Sequence, residues 1–338
     1  MGILNDLVIV RRAAWPLVML ALVASCSSPT APTPPPPPPV AEAPKLSCQL
    51  DGIGRATTSA GGMTVSYDTP SVTGGQGTVN VSCSPASGNN FPIGQTEVKC
   101  TATDTLNRTD TCNFTVTISK LATLSKLRYM AFGDSITAGE ITAPISGSIY
   151  SPFSLITKQV VVPGSSYPAV LQRTLQGRYS SQANDISVGN FGVGGEKAVV
   201  ARDRFIAGLN SFRPDAVIII DGANDIPAGE NGAASTAASE VRAMVDEAQR
   251  RGIRVFVGTP VPGKPGFRQI NTFLLVDYAG RMRDVAARSG ATLIDFYNLM
   301  LPEADRLIGI DGLHPNEAGY TKMADIAFQA IQSAFEVR

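Results

Sequence analysis

The single histidine of this 338-residue chain, His314, stands in the run Asp311-Gly-Leu-His314-Pro-Asn316. An aspartate three residues before a histidine, on one turn, can accept from one ring nitrogen and leave the other free as a base. Such a base matters beside a hydroxyl, which is a poor nucleophile until its proton is removed. A serine in a suitable setting occurs at Gly133-Asp-Ser135-Ile-Thr137, where a glycine turn opens a helix whose first N–H groups can meet an anion. Both features have ordinary alternatives: the serine can be a simple N-cap, and a lone histidine can be a bystander. Two further segments are chemically suggestive. The glycines of Asn190-Phe-Gly-Val-Gly-Gly195 let backbone approach a ligand closely or serve a tight turn. In Asp221-Gly-Ala-Asn224-Asp225 the asparagine side chain can donate a hydrogen bond at a sheet edge or form an Asx turn.

The elements that must position these residues alternate between strand and helix from Lys126 onward, the pattern of a parallel sheet covered on both faces. Apolar runs at Tyr129–Phe132, Val217–Ile220, Ile253–Val257 and Thr292–Phe296 read as buried strands. Between and after them, Ala237, Val241, Met244, Val245 and Ala248, and again Met323, Ile326, Ala327, Ala330, Ile331 and Ala334, trace the apolar stripes of amphipathic helices. In open sheets of this kind ligands bind beyond the carboxyl ends of the strands. All four suggestive segments fall at such ends or in the loops that follow them.

Together, in this order and spacing, the four segments resemble the signature blocks of the SGNH hydrolases, also called the GDSL esterase and lipase family. The resemblance runs from about Tyr129 to the C-terminal helix and implies a three-layer α/β/α, flavodoxin-like domain over residues 126–338. It implies Ser135 as nucleophile, His314 as general base and then acid, and Asp311 as the residue orienting the imidazole. It further implies an oxyanion hole made by the backbone N–H groups of Ser135 and Gly195 and the side-chain amide of Asn224, and no metal or organic cofactor. The first block has Ile136 where the family name has leucine, and Ala223 fills a variable position; neither removes a reacting group. Asp134 and Asp225 read as structural hydrogen-bonding residues, with Asp221 and Asp225 as rivals to Asp311 for the orienting role.

Residues 45–120 differ in kind. Short alternating stretches bounded by Gly, Asn, Asp and Pro predict a small all-β sandwich. Cys48, Cys83, Cys100 and Cys112 share the strand phase of their apolar neighbours, so all four point inward and predict two disulfides, with three pairings open. The segments Phe91–Asp104 and Cys112–Ile118 resemble the hyalin-repeat (HYR) module, which is immunoglobulin-like and implies a spacer or adhesion role.

Residues 1–25 combine Arg11 and Arg12 with an apolar run, Ala13–Ala24, too short to span a bilayer, and read as an export signal. The run Val23-Ala24-Ser25-Cys26 resembles the lipobox of bacterial lipoproteins, making Cys26 the lipidated N-terminus of a membrane-anchored protein facing the periplasm or cell surface. Residues 26–44, with six consecutive prolines from Pro34 to Pro39, cannot pack and predict an extended tether. At about 3.1 Å per residue it reaches roughly 50–60 Å.

Composition narrows the partners. With 28 basic and 28 acidic residues the chain has no net charge and no electrostatic footprint for nucleic acid. All five cysteines lie at or before Cys112, so the large domain cannot build a His or Cys zinc site. Gly258–Pro265 mimics a phosphate-binding loop, but its prolines remove N–H donors and Pro265 replaces the required hydroxyl. It reads instead as a loop over the site. No Gly-x-Ser-x-Gly elbow surrounds a plausible serine, which disfavours an ordinary α/β-hydrolase.

The expected partner is an ester substrate: a small molecule, a lipid or an acylated polysaccharide. The segment Ile141–Ser166 is long for its place and carries Ile145, Ile149, Tyr150, Phe153 and Ile156, which either wall an acyl pocket or pack over the sheet. Acyl transfer to a sugar or alcohol, and a non-catalytic surface-binding lipoprotein, are the alternative functions.

Overall fold

A computed structural model describes residues 41–49, 51–144, 157–226 and 232–337. The export signal, Cys26, the polyproline run, and Ile145, Ile149, Tyr150, Phe153 and Ile156 lie outside the described residues.

The N-terminal region is all-β. Its main sheet contains Ile53–Thr57 (β1), Asn80–Ser84 (β2), Gly94–Thr103 (β3) and Thr109–Lys120 (β4), in the order β1-β4-β3-β2. Pairs β3/β4 and β2/β3 are antiparallel and β1/β4 is parallel. Lys45–Ser47 with Ser71–Thr73, and Met63–Thr64 with Asn90–Phe91, form two smaller antiparallel ladders. Inward alternation along β3 and β4 buries Val98, Cys100, Phe114, Val116 and Ile118 together with Phe91 and Val65.

The four inward cysteines pair as Cys48–Cys112 and Cys83–Cys100, across sequence separations of 64 and 17. A core this small gains much of its stability from such links. Replacing Cys48 and Cys112 together by serine is expected to cost this region about 4 kcal/mol through the freed loop entropy of the unfolded chain. Urea unfolding followed by far-UV circular dichroism would show an earlier first transition.

Beyond residue 125 a five-stranded sheet forms from Arg128–Gly133 (β5), Ser187–Gly192 (β8), Ala216–Ile220 (β9), Arg254–Gly258 (β10) and Thr292–Ile294 (β11); the hairpin of Glu140–Pro144 (β6) and Thr157–Val161 (β7) stands apart from it. Every pairing within the sheet is parallel, and the spatial order is β8-β5-β9-β10-β11. Numbered by their succession in the sheet, the strands run 2-1-3-4-5, the flavodoxin-like order.

Alternate residues of β5 feed two different cores, as a strand buried on both faces requires. Tyr129 and Ala131 join the layer of Tyr167–Arg178 (α2) and Glu317–Phe335 (α6). Met130 and Phe132 join the layer of Ala198–Phe212 (α3), Ala233–Arg250 (α4) and Thr272–Ser289 (α5). The three-layer α/β/α architecture follows. The apolar run Thr292–Phe296 is a strand only as far as Ile294, because the Asp295 side chain accepts from Asn298 N–H and starts a short helix, Phe296–Met300.

Candidate active site

Register brings the first three suggestive segments together. Gly133, the last residue of β5, lies opposite Gly192 of β8 on one side and Ile220 of β9 on the other. The Asp134–Ser135, Val193–Gly195 and Asp221–Asn224 turns therefore leave adjacent carboxyl ends, where the strand order reverses. Gly133 is needed at the centre of this arrangement. Its φ is +158°, and a Cβ there would lie 1.9 Å from the Ile220 carbonyl oxygen.

The short helix Ser135–Ala138 (α1) begins at once, and its cap is Asp134, whose Oδ1 accepts from Ile136 N–H at 3.0 Å. Ser135 is thus released from the capping role that its position alone would suggest. Its Oγ stands 2.9 Å from His314 Nε2, and Ser135 is only 5% exposed. On the far side of the ring, His314 Nδ1 lies 2.6 Å from Asp311 Oδ2. Both His314 and Asp311 are fully buried. The loop that carries them is closed by Gly309 N–H donating to the His314 carbonyl at 2.7 Å, and Asn316 caps α6 directly after it.

Asp311 is tightly held. Its Oδ1 accepts from the backbone N–H groups of Leu313 and His314, each at 3.0 Å, and its Oδ2 accepts from the Thr142 hydroxyl at 2.6 Å. Burial works against the charged form of Asp311, but the hydrogen bonds from His314, Thr142 and Leu313 outweigh it and hold the carboxyl well below the ordinary carboxylate range. The carboxylate is therefore ionised wherever the imidazole beside it could act.

Neither rival for that place hydrogen-bonds His314 among the described residues. Asp225 Oδ2 accepts from Ala198 N–H at 2.8 Å and caps α3. Asp221 Oδ1 accepts from Gly222 N–H, its Oδ2 has no partner among the described residues, and burial raises its pKa. Burial likewise pushes the Asp134 carboxyl up to about 6. Gly195 has a φ of +74° and stands in open space, with no atom within 4 Å of where a Cβ would be. The Asn224 side chain donates to the Glu196 carbonyl at 2.9 Å and lies 3.5 Å from Asp134 Oδ2, which leaves it beside the cap of α1.

Three residues of this neighbourhood gave no sequence signal. Thr142 reaches Asp311 from β6, across 169 residues. Glu140, the first residue of β6, places Oε2 3.9 Å from His314 Nε2. Arg204 of α3 pairs with Glu196, donates to the carbonyls of Phe191 at 2.7 Å and Gly133 at 3.2 Å, and lies over the Phe132 ring. It thereby ties the glycine-rich loop to the turn that carries Ser135. The Gly258–Pro265 loop packs against the histidine loop, with Lys264 N–H donating to the Gly312 carbonyl at 3.1 Å.

This geometry occurs in a chain whose residues 131–322 match the GDSL-like lipase/acylhydrolase family and whose residues 41–118 match the HYR domain. The chain belongs to the GDSL-like lipase/acylhydrolase family. An acetylxylan esterase from Xylanibacter ruminicola is 30% identical over 142 residues, covering 36% of this chain and 29% of that protein. The chain thus spans less than a third of that relative's length. Similar solved structures include a lipase/acylhydrolase from Enterococcus faecalis, with 22% identity, a TM-score of 0.48, and coverage of 62% of this chain and 97% of that one. Another is an acetylxylan esterase from Geobacillus stearothermophilus, at 19% identity, a TM-score of 0.47, and coverage of 62% and 94%.

Proposed function

We propose that the protein is an exported, lipid-anchored serine esterase that cleaves acetyl esters on a polysaccharide. The observation that carries the catalytic part is the unbroken chain from Ser135 Oγ through the His314 ring to Asp311, with links of 2.9 and 2.6 Å. His314 Nε2 takes the serine proton as Oγ attacks the ester carbonyl, and Asp311 stabilises the imidazolium that results. The carbonyl oxygen becomes anionic and is met by the N–H groups of Ser135 and Gly195 and by the Asn224 amide, each such donor supplying on the order of 3 kcal/mol. His314 returns the proton to the departing alcohol, and water then cleaves the acyl-enzyme by the same steps.

The acetyl-polysaccharide assignment draws on the acetylxylan esterase relative. Export and anchoring at Cys26 draw on the leader sequence and on the two disulfides, which require an oxidising compartment. The proline tether of residues 26–44 and the HYR domain then hold the esterase away from the membrane. A series of nitrophenyl esters of increasing chain length, with acetylated xylan alongside, tests the substrate. Preference for acetyl and release of acetate from xylan are expected; preference for long acyl chains would overturn it.

Thr142 supports the triad without touching substrate. Thr142→Val keeps the shape but removes a hydrogen bond to a buried carboxylate, worth about 1.5–3 kcal/mol. A fall of about tenfold in kcat, with KM little changed, is expected from steady-state kinetics.

A further inference from the structure

Glu140 is the residue of this site that the triad leaves without a task. It follows α1 after the single residue Gly139 and opens the β6/β7 hairpin, paired with Val161. Its backbone carbonyl accepts from the Tyr320 hydroxyl at 2.5 Å, which anchors it to α6. Its side chain turns inward, 17% exposed, with Oε2 3.9 Å from His314 Nε2, and no lysine or arginine among the described residues pairs with it. On the opposite side it fills the space beside Gly194, where a Cβ would lie 2.0 Å from Glu140 Oε1. Glycine at 194 is therefore what admits the carboxylate to this position. Three separate elements, the hairpin, α6 and the loop after β8, converge to hold a carboxylate near the nitrogen that must move protons.

We infer that Glu140 orients the water that cleaves the acyl-enzyme and so biases the enzyme toward hydrolysis over acyl transfer to alcohols, an inference that rests on the esterase reading above. An oxygen hydrogen-bonded at about 2.8 Å to both Nε2 and Oε2, which stand 3.9 Å apart, would see them at roughly a right angle. That angle suits the two O–H bonds of one water. Nε2 of the neutral ring and an ionised carboxylate are both acceptors, so the molecule between them must donate twice. Water has two protons to give, whereas an alcohol has one and would leave one acceptor unmatched.

In the step itself, the water oxygen bonds to the acyl carbon and one water proton passes to Nε2. The tetrahedral adduct then collapses, the bond from carbon to Ser135 Oγ breaks, and Nε2 returns that proton to Oγ. The second water proton, held toward Glu140, leaves on the carboxylic acid product.

The test is the partition of one acyl-enzyme between two acceptors. With nitrophenyl acetate as donor and 1-propanol added, the ratio of propyl acetate to free acetate is measured for the wild type, Glu140→Gln and Glu140→Ala. Both products arise from the same intermediate, so the ratio does not depend on how much folded enzyme is present or how fast it acylates. A rise of about fivefold or more in the transfer-to-hydrolysis ratio is expected in both variants. An unchanged ratio overturns the assignment, as does loss of both products in variants that fold by circular dichroism, because the carboxylate would then be needed before water enters. Absence of Ser135-dependent turnover in the wild type is a different result and would sink the esterase reading itself.

Discussion

Replacing Ser135 by alanine is expected to reduce ester turnover on the order of 10⁴-fold or more while leaving the fold intact. On the proposed mechanism the loss is large because Oγ would form the acyl-enzyme, and no other hydroxyl in the described structure shares its link to His314. The fold should survive because Asp134, not Ser135, caps α1, and the serine side chain makes a single hydrogen bond that the histidine can replace with water. A stability change within about 1 kcal/mol is expected from thermal unfolding. The double variant with His314→Ala should lose no more activity than Ser135→Ala alone, since the proposed mechanism has the two residues act as one unit. Residual turnover within tenfold of the wild type in Ser135→Ala would overturn the assignment of the nucleophile.

Asp311→Asn is the second large effect, and the hydrogen bonds around it give the reason. Two backbone donors, Leu313 and His314, converge on Oδ1 and require an acceptor there. An asparagine must therefore keep its oxygen at that position and turn its NH₂ toward His314 Nδ1 and Thr142. The imidazole then accepts at Nδ1, carries its proton on Nε2, and cannot act as base toward Ser135. A drop in kcat of about 10⁴-fold is expected.

Stability at acid pH should report the same carboxylate. The folded-state pKa of Asp311 is depressed, so its contribution to stability is fully present above the unfolded value of about 4 and is lost as pH falls toward the folded one. The difference in urea midpoint between wild type and Asp311→Asn should accordingly shrink as the buffer is taken below about pH 4. Asp134 acts with the opposite sign. Burial raises it to about 6, so the folded protein holds that proton more firmly than the unfolded chain, and stability from this group declines as pH rises from about 4 to 6. Comparing wild type with the variant at each pH removes that shared background.

Much of the molecule was legible in the sequence because the determining interactions are local. Alternation along Val98–Ala102 and Phe114–Ile118 marked the inward face of the sandwich, and with it the inward cysteines. The uninterrupted apolar runs at Tyr129–Phe132 and Val217–Ile220 marked strands covered on both faces, and the stripes of α4 and α6 marked the helices that cover them. Glycine turns, an Asp-x-x-His loop and a lone histidine identified the segments where chemistry could occur, since each depends on residues within one turn of chain.

What the tertiary structure alone decided involves partners far apart in sequence. The choice among three disulfide pairings fell to Cys48–Cys112 and Cys83–Cys100 through the stacking of strands, to which a phase pattern is blind. Of Asp221, Asp225 and Asp311, only Asp311 places a carboxylate oxygen against the His314 ring, while Asp225 accepts from Ala198 N–H and Asp221 from Gly222 N–H. Asp134 caps α1 from the N-cap position, while the Ser135 side chain meets a histidine 179 residues away. Thr142 and Glu140 reach the histidine loop from a hairpin that has no motif of its own. Local propensity sets which elements form, but the side chains that meet at the carboxyl ends of parallel strands are chosen by sheet order and register, which depend on burying both faces of the sheet at once.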